Sequence, residues 1–213
     1  MPTTPARRRL SPAEREAQIT AAAIDVARAE GLAGVTLRGV AASIGVAPSL
    51  VAHYRPNMED LVGETFRTVA STEVAEVRGI VGGANDGGVH DGGPVGRLRT
   101  LLACIADPAR DDVATLWADA WSIGRSNAAL AAAARDVMDE WQLLATSVVS
   151  EGVRDGVLRT DDPDAVGRLL FALVDATNGY ALVDYLDRPT REGLVRSTIA
   201  RAVGLDASAL DPS

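Results

Sequence analysis

The 213-residue sequence contains no lysine, one cysteine and two histidines, and only 4% of its residues are aromatic. The single Cys104 excludes an internal disulfide and any multi-cysteine metal site, which fits a reducing compartment. Apolar runs such as residues 169–174 are too short to cross a bilayer. No apolar segment of the kind found in signal peptides follows the N-terminal arginines. We therefore expect a cytoplasmic protein without a membrane partner.

Motifs of catalysis and metal binding are also absent from the sequence. The chain has no His-Glu-x-x-His, P-loop or nucleophile-elbow pattern, and an all-helical enzyme would need a convergent set of reactive side chains. The pair His90 and Asp91 stands in a glycine-rich stretch without further ligands, so we interpret it as part of a linker. We expect no enzymatic activity, no cofactor and no metal.

Charge is distributed unevenly along the chain. The formal net charge is -8, yet residues 1–57 carry seven arginines against four acidic residues, a balance of +3. Residues 58–213 carry fourteen arginines against twenty-five acidic residues, a balance of -11. The first quarter of the chain can therefore face a polyanion, whereas the remainder would be repelled by one.

Capping signals define four helices in the first third of the chain. Ser11 to Glu14 form a capping box, and Gly31 ends a first helix over 12–30. Thr36 caps a second helix, Gly45 provides a sharp turn that Val46 plugs, and Pro48 begins a third helix that runs to about Tyr54. Asn57 and Asp60 are predicted to cap a fourth helix.

The rest of the sequence predicts five more helices and no strand, which makes the fold all-α with about nine helices. Half of the residues in 82–93 are glycine, so we expect a flexible loop there. Proline, glycine and capping residues then place helices near 94–106, 109–125, 127–154, 163–186 and 190–203, the last capped by Thr190.

Two short helices joined by a glycine turn and braced by a longer one indicate a helix-turn-helix, whose second short helix lies in the DNA major groove. Leu50 and Val51 are predicted to anchor that helix inward. The alternative is that His53 and Tyr54 simply cover the core of a small helical domain. The candidate DNA-binding residues are Thr36, Arg38, Pro48, Ser49, Ala52, His53, Tyr54 and Arg55.

Residues 15–62, including ITAAAIDVARAEG and VTLRGVAASIGVAPSLVAHYRPNMEDLV, resemble the DNA-binding domain of the TetR family of transcriptional regulators. The resemblance implies a homodimer that binds a palindromic operator, usually as a repressor released when a small molecule enters the C-terminal domain. Four positions depart from the family pattern: Ala47 replaces a capping Ser or Thr, Pro48 and Met58 replace lysines, and Arg55 replaces an inward aromatic. Two missing cations should weaken nonspecific DNA affinity and flatten its salt dependence.

The predicted domain organisation has three parts. Residues 1–10 form a flexible basic arm, in which Arg7 to Arg9 are either a solvated tail or an arm that enters the minor groove. Residues 11–57 form the helix-turn-helix domain. Residues 58–213 form the ligand-binding and dimerisation domain, which includes the loop 82–93.

A ligand cavity in the larger domain is predicted from aromatic and polar residues on neighbouring helices. The candidates are Trp117, Trp121, Trp141, Phe171, Asp175 and Asn178. Aromatic stripes are more often plain core, so this interpretation competes with a closed interior. Tryptophans beside a carboxylate suit a cationic or quaternary ammonium compound, but Arg125 or Arg135 would suit an anion equally well.

The helix over 163–186 is apolar almost all round, which predicts that a partner covers part of it. The family resemblance likewise implies a four-helix bundle that joins two subunits. The alternative is the central helix of a monomer, and a helix-turn-helix that meets a protein partner and has no effector also stays open. The candidate dimer residues are Val174, Thr177, Gly179, Ala181, Leu194, Ile199 and Ala202.

Overall fold

The structure, a computed structural model, describes residues 10–83 and 93–211. Within these two ranges the fold is all-helical, as predicted, and contains no strand. The predicted arm over 1–10 and the pair His90 and Asp91 lie outside the described residues, except for Leu10. The helices are α1 Pro12–Glu30, α2 Leu37–Ser43, α3 Pro48–Tyr54, α4 Met58–Val81, α5 Gly93–Ile105, α6 Asp111–Ile123, α7 Ala128–Arg154, α8 Pro163–Ala181 and α9 Arg188–Ala202.

The caps at the N-terminal end of the fold confirm the predicted boundaries. The Ser11 hydroxyl accepts from the backbone N–H of Glu14 at 3.2 Å, and the Glu14 carboxylate accepts from the N–H of Ser11 at 2.8 Å. The Thr36 hydroxyl accepts from the N–H of Gly39 at 3.0 Å and starts α2. Gly45 has φ +65°, a value that glycine adopts without the steric cost of a side chain.

Three boundary predictions were wrong. Helix α8 ends at Ala181 rather than 186, and the following loop places Asp184 and Leu186 in the left-handed region. Helix α9 is capped by Asp187, whose carboxylate accepts from the N–H of Thr190 at 2.9 Å, so Thr190 lies inside the first turn. We had placed Pro189 before the cap, but proline is also favoured in the first turn of a helix, and there it lies. The start of α9 was therefore predicted too late. At α4 the cap is Asn57 alone, and Asp60 lies in the first turn.

Helices α1, α2 and α3 share a small apolar core. Ile19, Ala23 and Val26 of α1 are buried, and Val51 of α3 is fully buried. Val46 packs against this core, as predicted for a corner plug. Leu50 is half-buried and does not pack against the core, so its predicted anchoring role is wrong.

Helix α4 connects the two ends of the molecule. It packs on α1 and α7, with α5 and α6 as further neighbours. The buried Asn127 holds the junction, since its side-chain amide donates to the carbonyl of Glu59 at 3.2 Å and its oxygen caps α7. The apolar face of α4 is formed by Leu61, Phe66, Val69, Val74, Val77 and Val81.

The larger domain is built around α7. Helices α4, α5, α6 and α8 pack on α7, and α9 packs on α8 and on the final turn at Ala207–Leu210. The short turn at Leu32–Gly34 and α1 both contact α6. None of the described helices combines the length and the apolar character that crossing a membrane requires.

Gly63 provides a test of the α4 and α7 contact. A Cβ added at Gly63 would lie 2.9 Å from the carbonyl carbon of Ala129, whereas one added at Gly79 of the same helix would meet nothing within 4 Å. We expect Gly63→Ala to lower the free energy of unfolding by about 1–3 kcal/mol, because backbone atoms must move. Gly79→Ala should raise it by about 0.5–1 kcal/mol through helix propensity. Urea unfolding of both variants measures this, and equal effects of the two substitutions would contradict the close contact.

Candidate nucleic-acid interface and ligand pocket

One face of α3 is free to contact a partner. Pro48, Ser49 and His53 are exposed and Ala52 is half-buried, while Val51 on the opposite face is fully buried. The ring of Tyr54 packs partly against the core and meets the ring of His53 edge to face at 5.2 Å. The polar atoms on this face are a hydroxyl and an imidazole, with the Tyr54 phenol at its end.

Two further predicted contacts lie at the start of α2. Thr36 and Arg38 are both exposed. The Thr36 oxygen accepts from Gly39, which leaves its hydrogen available to donate. Arg38 makes no ion pair with any carboxylate in the described residues, so its guanidinium is available to a phosphate.

Arg55 does not lie on this surface, and its predicted role in DNA binding was wrong. Its guanidinium donates to the Thr20 hydroxyl at 2.9 Å and to the Glu64 carboxylate at 2.8 Å, with Glu16 at 3.7 Å. The side chain is only 18% exposed. Arg55 therefore ties the end of α3 to α1 and α4, in the place where the family pattern has an inward aromatic.

The helix-turn-helix unit is electrically neutral over its described part. Residues 10–57 contain four arginines and four acidic residues, so the +3 balance of the first quarter comes from Arg7 to Arg9, which lie outside the described residues. Arg28 pairs with Asp112 of α6, and Arg15 donates to Gln18. On the exposed surface of α2 and α3 the polar groups are therefore the hydroxyls of Thr36 and Ser49, the ring donors of His53 and Tyr54, and Arg38.

A cavity of about 330 Å³ lies in the larger domain between α6, α7, α8 and α9. Trp117, Trp141 and Phe171 form its aromatic wall, and the rings of Trp141 and Phe171 are 5.4 Å apart. Trp121 does not line the cavity, contrary to prediction, and is 46% exposed. The reason is that the cavity ends beside Trp117, and Trp121 lies one turn further along α6 and stacks on the outer side of Trp117 at 5.5 Å.

Asp175 and Asn178 line the cavity. Asp175 has no hydrogen bond or ion pair with the described residues. Burial raises the pKa of its carboxyl to about 6, and burial is the only cause. Arg125 and Arg135, which would have suited an anion, are exposed and lie outside the cavity lining.

Glu73 of α4 is a cavity residue that the sequence reasoning missed. Burial raises the pKa of its carboxyl to about 7, although Arg110, with atoms 3.9 Å away, acts in the opposite direction. Glu73 also borders a smaller polar cavity of about 270 Å³ beside Arg28 and Asp112. The available signal was its position on the apolar face of α4, four residues from both Val69 and Val77.

The charged residues on the wall of the larger cavity are mostly paired with one another. Four carboxylates and four guanidiniums line it in the described part of the chain. Arg188 bonds Asp111 at 2.6 Å and Arg196 bonds Glu192 at 3.1 Å, in addition to the contact between Arg110 and Glu73. Asp175 and Arg191 are left without an ion pair among the described residues.

The predicted dimer residues divide into two groups. Ile199 is fully buried in its own chain, and Val174 and Thr177 are buried on the cavity wall, so these three predictions were wrong. Ala181 also lines the cavity, but it is exposed. Ala202 is half-buried against the core, whereas Gly179, Ala181 and Leu194 are exposed. The exposed stripe that runs along α8 was missed because alanines weaken its apolar signal; it consists of Ala165, Leu169, Ala172, Ala176 and Tyr180.

Helix α6 touches both the cavity and the helix-turn-helix unit. Asp111 and Trp117 face the cavity. The Asp119 carboxylate accepts from the backbone N–H of Leu32 at 2.7 Å, and Asp112 pairs with Arg28 of α1. A displacement of α6 by a bound molecule would therefore act directly on α1.

An exposed helix-turn-helix and a helical domain with an aromatic cavity define a class of ligand-responsive DNA-binding proteins. Comparison with known families agrees with this class. The model of the BetI-type transcriptional repressor C-terminal domain matches residues 94–204, and that of bacterial regulatory proteins of the tetR family matches residues 19–65. The first match alone covers more than half of the chain. The chain belongs to the TetR family of transcriptional regulators, which are DNA-binding proteins rather than enzymes.

Solved structures share the fold at low sequence identity. A transcriptional regulator from Saccharomonospora viridis in complex with choline is 18% identical with a TM-score of 0.74, covering 90% of this chain and 98% of its own. A regulator from Pseudomonas aeruginosa PAO1 is 20% identical with a TM-score of 0.70, covering 92% and 94%. A TetR-family regulator from Rhodococcus sp. is 17% identical with a TM-score of 0.69, covering 90% and 100%. No curated protein matches the chain.

The described residues contain no cluster of three or more side chains that could hold a metal ion.

The buried Glu73 should make stability depend on pH. The pKa of its carboxyl is raised from 4.5 to about 7, so between these values the folded state holds a proton that the unfolded state has lost. The free energy of unfolding should therefore fall as pH rises through this window, by roughly 1–3 kcal/mol more than in Glu73→Gln. Urea titrations across the window measure the difference. Glu59→Gln, at an exposed glutamate of the same helix, is the matched control, and a Glu73→Gln profile parallel to that of the wild type would contradict the assignment.

Proposed function

We propose that the chain is a homodimeric cytoplasmic repressor that binds a palindromic operator through α3 and leaves it when a small cationic effector enters the cavity. The observation that carries the proposal is that α4 and α6 each contact both the helix-turn-helix unit and the cavity. A molecule in the cavity can therefore change the position of the DNA-binding face.

The exposed face of α3 supports the DNA-binding role. Ser49 stands at the start of α3, where a hydroxyl reaches a base edge or a phosphate, and His53 and Tyr54 supply donors at its other end. The fully buried Val51 fixes which face points outward. Thr36 and Arg38 supply phosphate contacts at the start of α2.

The stripe on α8 supports the homodimer. Leu169 and Tyr180 are 37% and 38% exposed, and the alanines between them would let a second copy of α8 approach closely. Gly179 and Ala181 of α8 and Leu194 of α9 are exposed as well. In a symmetric dimer the two α3 helices would bind half-sites about 34 Å apart, one turn of the duplex.

The chemistry of the cavity supports a cationic effector. Aromatic rings attract cations through their electron-rich faces, and Asp175 supplies a carboxylate with no partner in the described residues. The regulator from Saccharomonospora viridis, which has the same fold, was solved in complex with choline, a quaternary ammonium compound. Both observations favour a compact organic cation.

Release from DNA would follow from the contacts of α6. A ligand that binds one arrangement of α6 more tightly than another increases the population of that arrangement. In the dimer, each arrangement of α6 would correspond to a different distance between the two α3 helices. The bonds from Asp119 to Leu32 and from Asp112 to Arg28 carry that change to α1. The packing of α4 against α1 and α7 supplies a second path.

DNA binding through α3 is tested with the duplex that lies upstream of the gene. We expect retardation by two chains per duplex, and Ser49→Ala should weaken binding about tenfold, because a charge-assisted contact contributes roughly 1–3 kcal/mol. Ser147→Ala, an exposed serine of α7, is the matched control. Anisotropy titration gives the affinities and light scattering gives the stoichiometry. Binding by a single chain, or equal effects of both substitutions, would refute this mode of recognition.

The cationic effector is tested with tetramethylammonium as the probe. At about pH 8 Asp175→Asn should lower its affinity about tenfold, since the carboxylate charge is lost. Wild-type affinity should fall as pH drops through about 6, where Asp175 takes up a proton, and Glu73 adds to this fall around pH 7. Calorimetry measures both, with the exposed Asp139→Asn as control. A folded dimer that binds no cation and stays on the operator would instead favour a regulator controlled by a protein partner.

A further inference from the structure

The wall of the larger cavity has balanced charge, but the balance leaves one charge of each sign unpaired. Three of its four guanidiniums contact three of its four carboxylates, as described above for Arg110, Arg188 and Arg196. The remaining members are Asp175 on α8 and Arg191 on α9. Both residues are half-buried and neither has an ion pair among the described residues, so each can bind a ligand group of opposite sign.

Asp175 forms the cationic subsite together with the aromatic wall. It lies one turn along α8 from Phe171, and both side chains line the cavity. No ion pair or hydrogen bond holds its carboxylate in the described residues. A quaternary or protonated amine placed against Phe171 and Trp141 would supply the missing charge.

Arg191 forms the opposite subsite. One of its terminal nitrogens donates to the carbonyl of Leu186, and the described residues give it no other hydrogen bond and no ion pair. Asp187 is near enough for Arg191 to help lower the pKa of its carboxyl, but the Asp187 carboxylate caps α9 through the N–H of Thr190. The remaining guanidinium donors of Arg191 suit the two oxygens of a carboxylate, phosphate or sulfonate.

The two unpaired groups do not neutralise each other. Burial is the only cause of the raised pKa of Asp175, and a nearby guanidinium would have lowered that pKa. Asp175 and Arg191 both line the cavity, from two different helices, and no ion pair joins them. A single ligand that satisfies both must carry its positive and negative groups at some separation.

We propose that the effector is a zwitterion, with its amine or quaternary ammonium group against Asp175 and the aromatic wall and its anionic group on Arg191. This inference rests on the proposed function and narrows its effector class. A simple cation would leave the remaining donors of Arg191 without a ligand acceptor, whereas a zwitterion enters a cavity of zero formal net charge and engages both Asp175 and Arg191.

The test compares ω-trimethylammonio carboxylates, with chains from acetate to hexanoate, with their primary amides. Each pair has nearly the same shape and differs in the negative charge. Titration calorimetry on the full-length dimer at about pH 8, above the pKa of about 6 for Asp175, gives the affinities. At one length of the ligand's carbon chain, the carboxylate should bind about tenfold more tightly than its amide. A charge-assisted hydrogen bond to Arg191 would produce a difference of that size.

Substitutions of Arg191 test whether this residue causes the preference for the carboxylate over the amide. Arg191→Gln should reduce the ratio of the two affinities to about one, and Arg191→Lys, which keeps the charge and loses the fork, should retain part of it. Arg201→Gln, on the exposed side of α9 and outside the cavity, should keep the full ratio. Equal affinities for carboxylate and amide at every chain length, or a preference that survives Arg191→Gln, would overturn the inference and leave the cationic effector intact. Failure of every probe to bind, tetramethylammonium included, would overturn both.

Discussion

The structure depends on the packing of the apolar face of α4 against the helices around it, above all α7. Leu61, Phe66, Val74 and Val77 are buried along α4, the ring of Phe66 meets that of Trp117 at 4.9 Å, and α4 packs on α1 as well as on α5, α6 and α7. Because one rigid helix belongs to both parts, neither can move far without the other. The backbone contact at Gly63 and the buried amide of Asn127 fix its position on α7. This packing is one of two connections between the cavity and the helix-turn-helix unit, beside the contacts of α6 with Arg28 and Leu32.

The cavity shows how the cost of burying charge organises a binding site. Most of its charged side chains are paired within the wall, so they shape the site without attracting a ligand strongly. Asp175 has no ion pair among the described residues, so its carboxylate can attract a group of opposite charge. Glu73 is intermediate, because Arg110 only partly offsets its burial and its carboxyl is poised near neutral pH. The same carboxylates that give the site its selectivity therefore also make the folded chain sensitive to pH.

Local signals in the sequence predicted the helices well and their partners poorly. The capping box at Ser11, the turn at Gly45 and the cap at Thr36 act within a few residues, so the pattern alone located them. Five of the six predicted cavity residues line the cavity, because the aromatic and polar positions of α6, α7 and α8 face one another. Arg55, Trp121 and Ile199 were misassigned because their surroundings are set by distant elements: Glu64 binds Arg55, the end of the cavity excludes Trp121, and the core covers Ile199. Spacing along one helix cannot supply that information.

The inward turn of Arg55 has a consequence for how such a regulator would find its site. The described part of the DNA-binding domain offers few ionic contacts to phosphates, so it contributes little nonspecific affinity and favours short sliding on random duplex. Its search then consists of many short three-dimensional excursions, and fewer copies are held on irrelevant sequence. Discrimination between sites would depend on hydroxyl and ring contacts that form only on the matching bases.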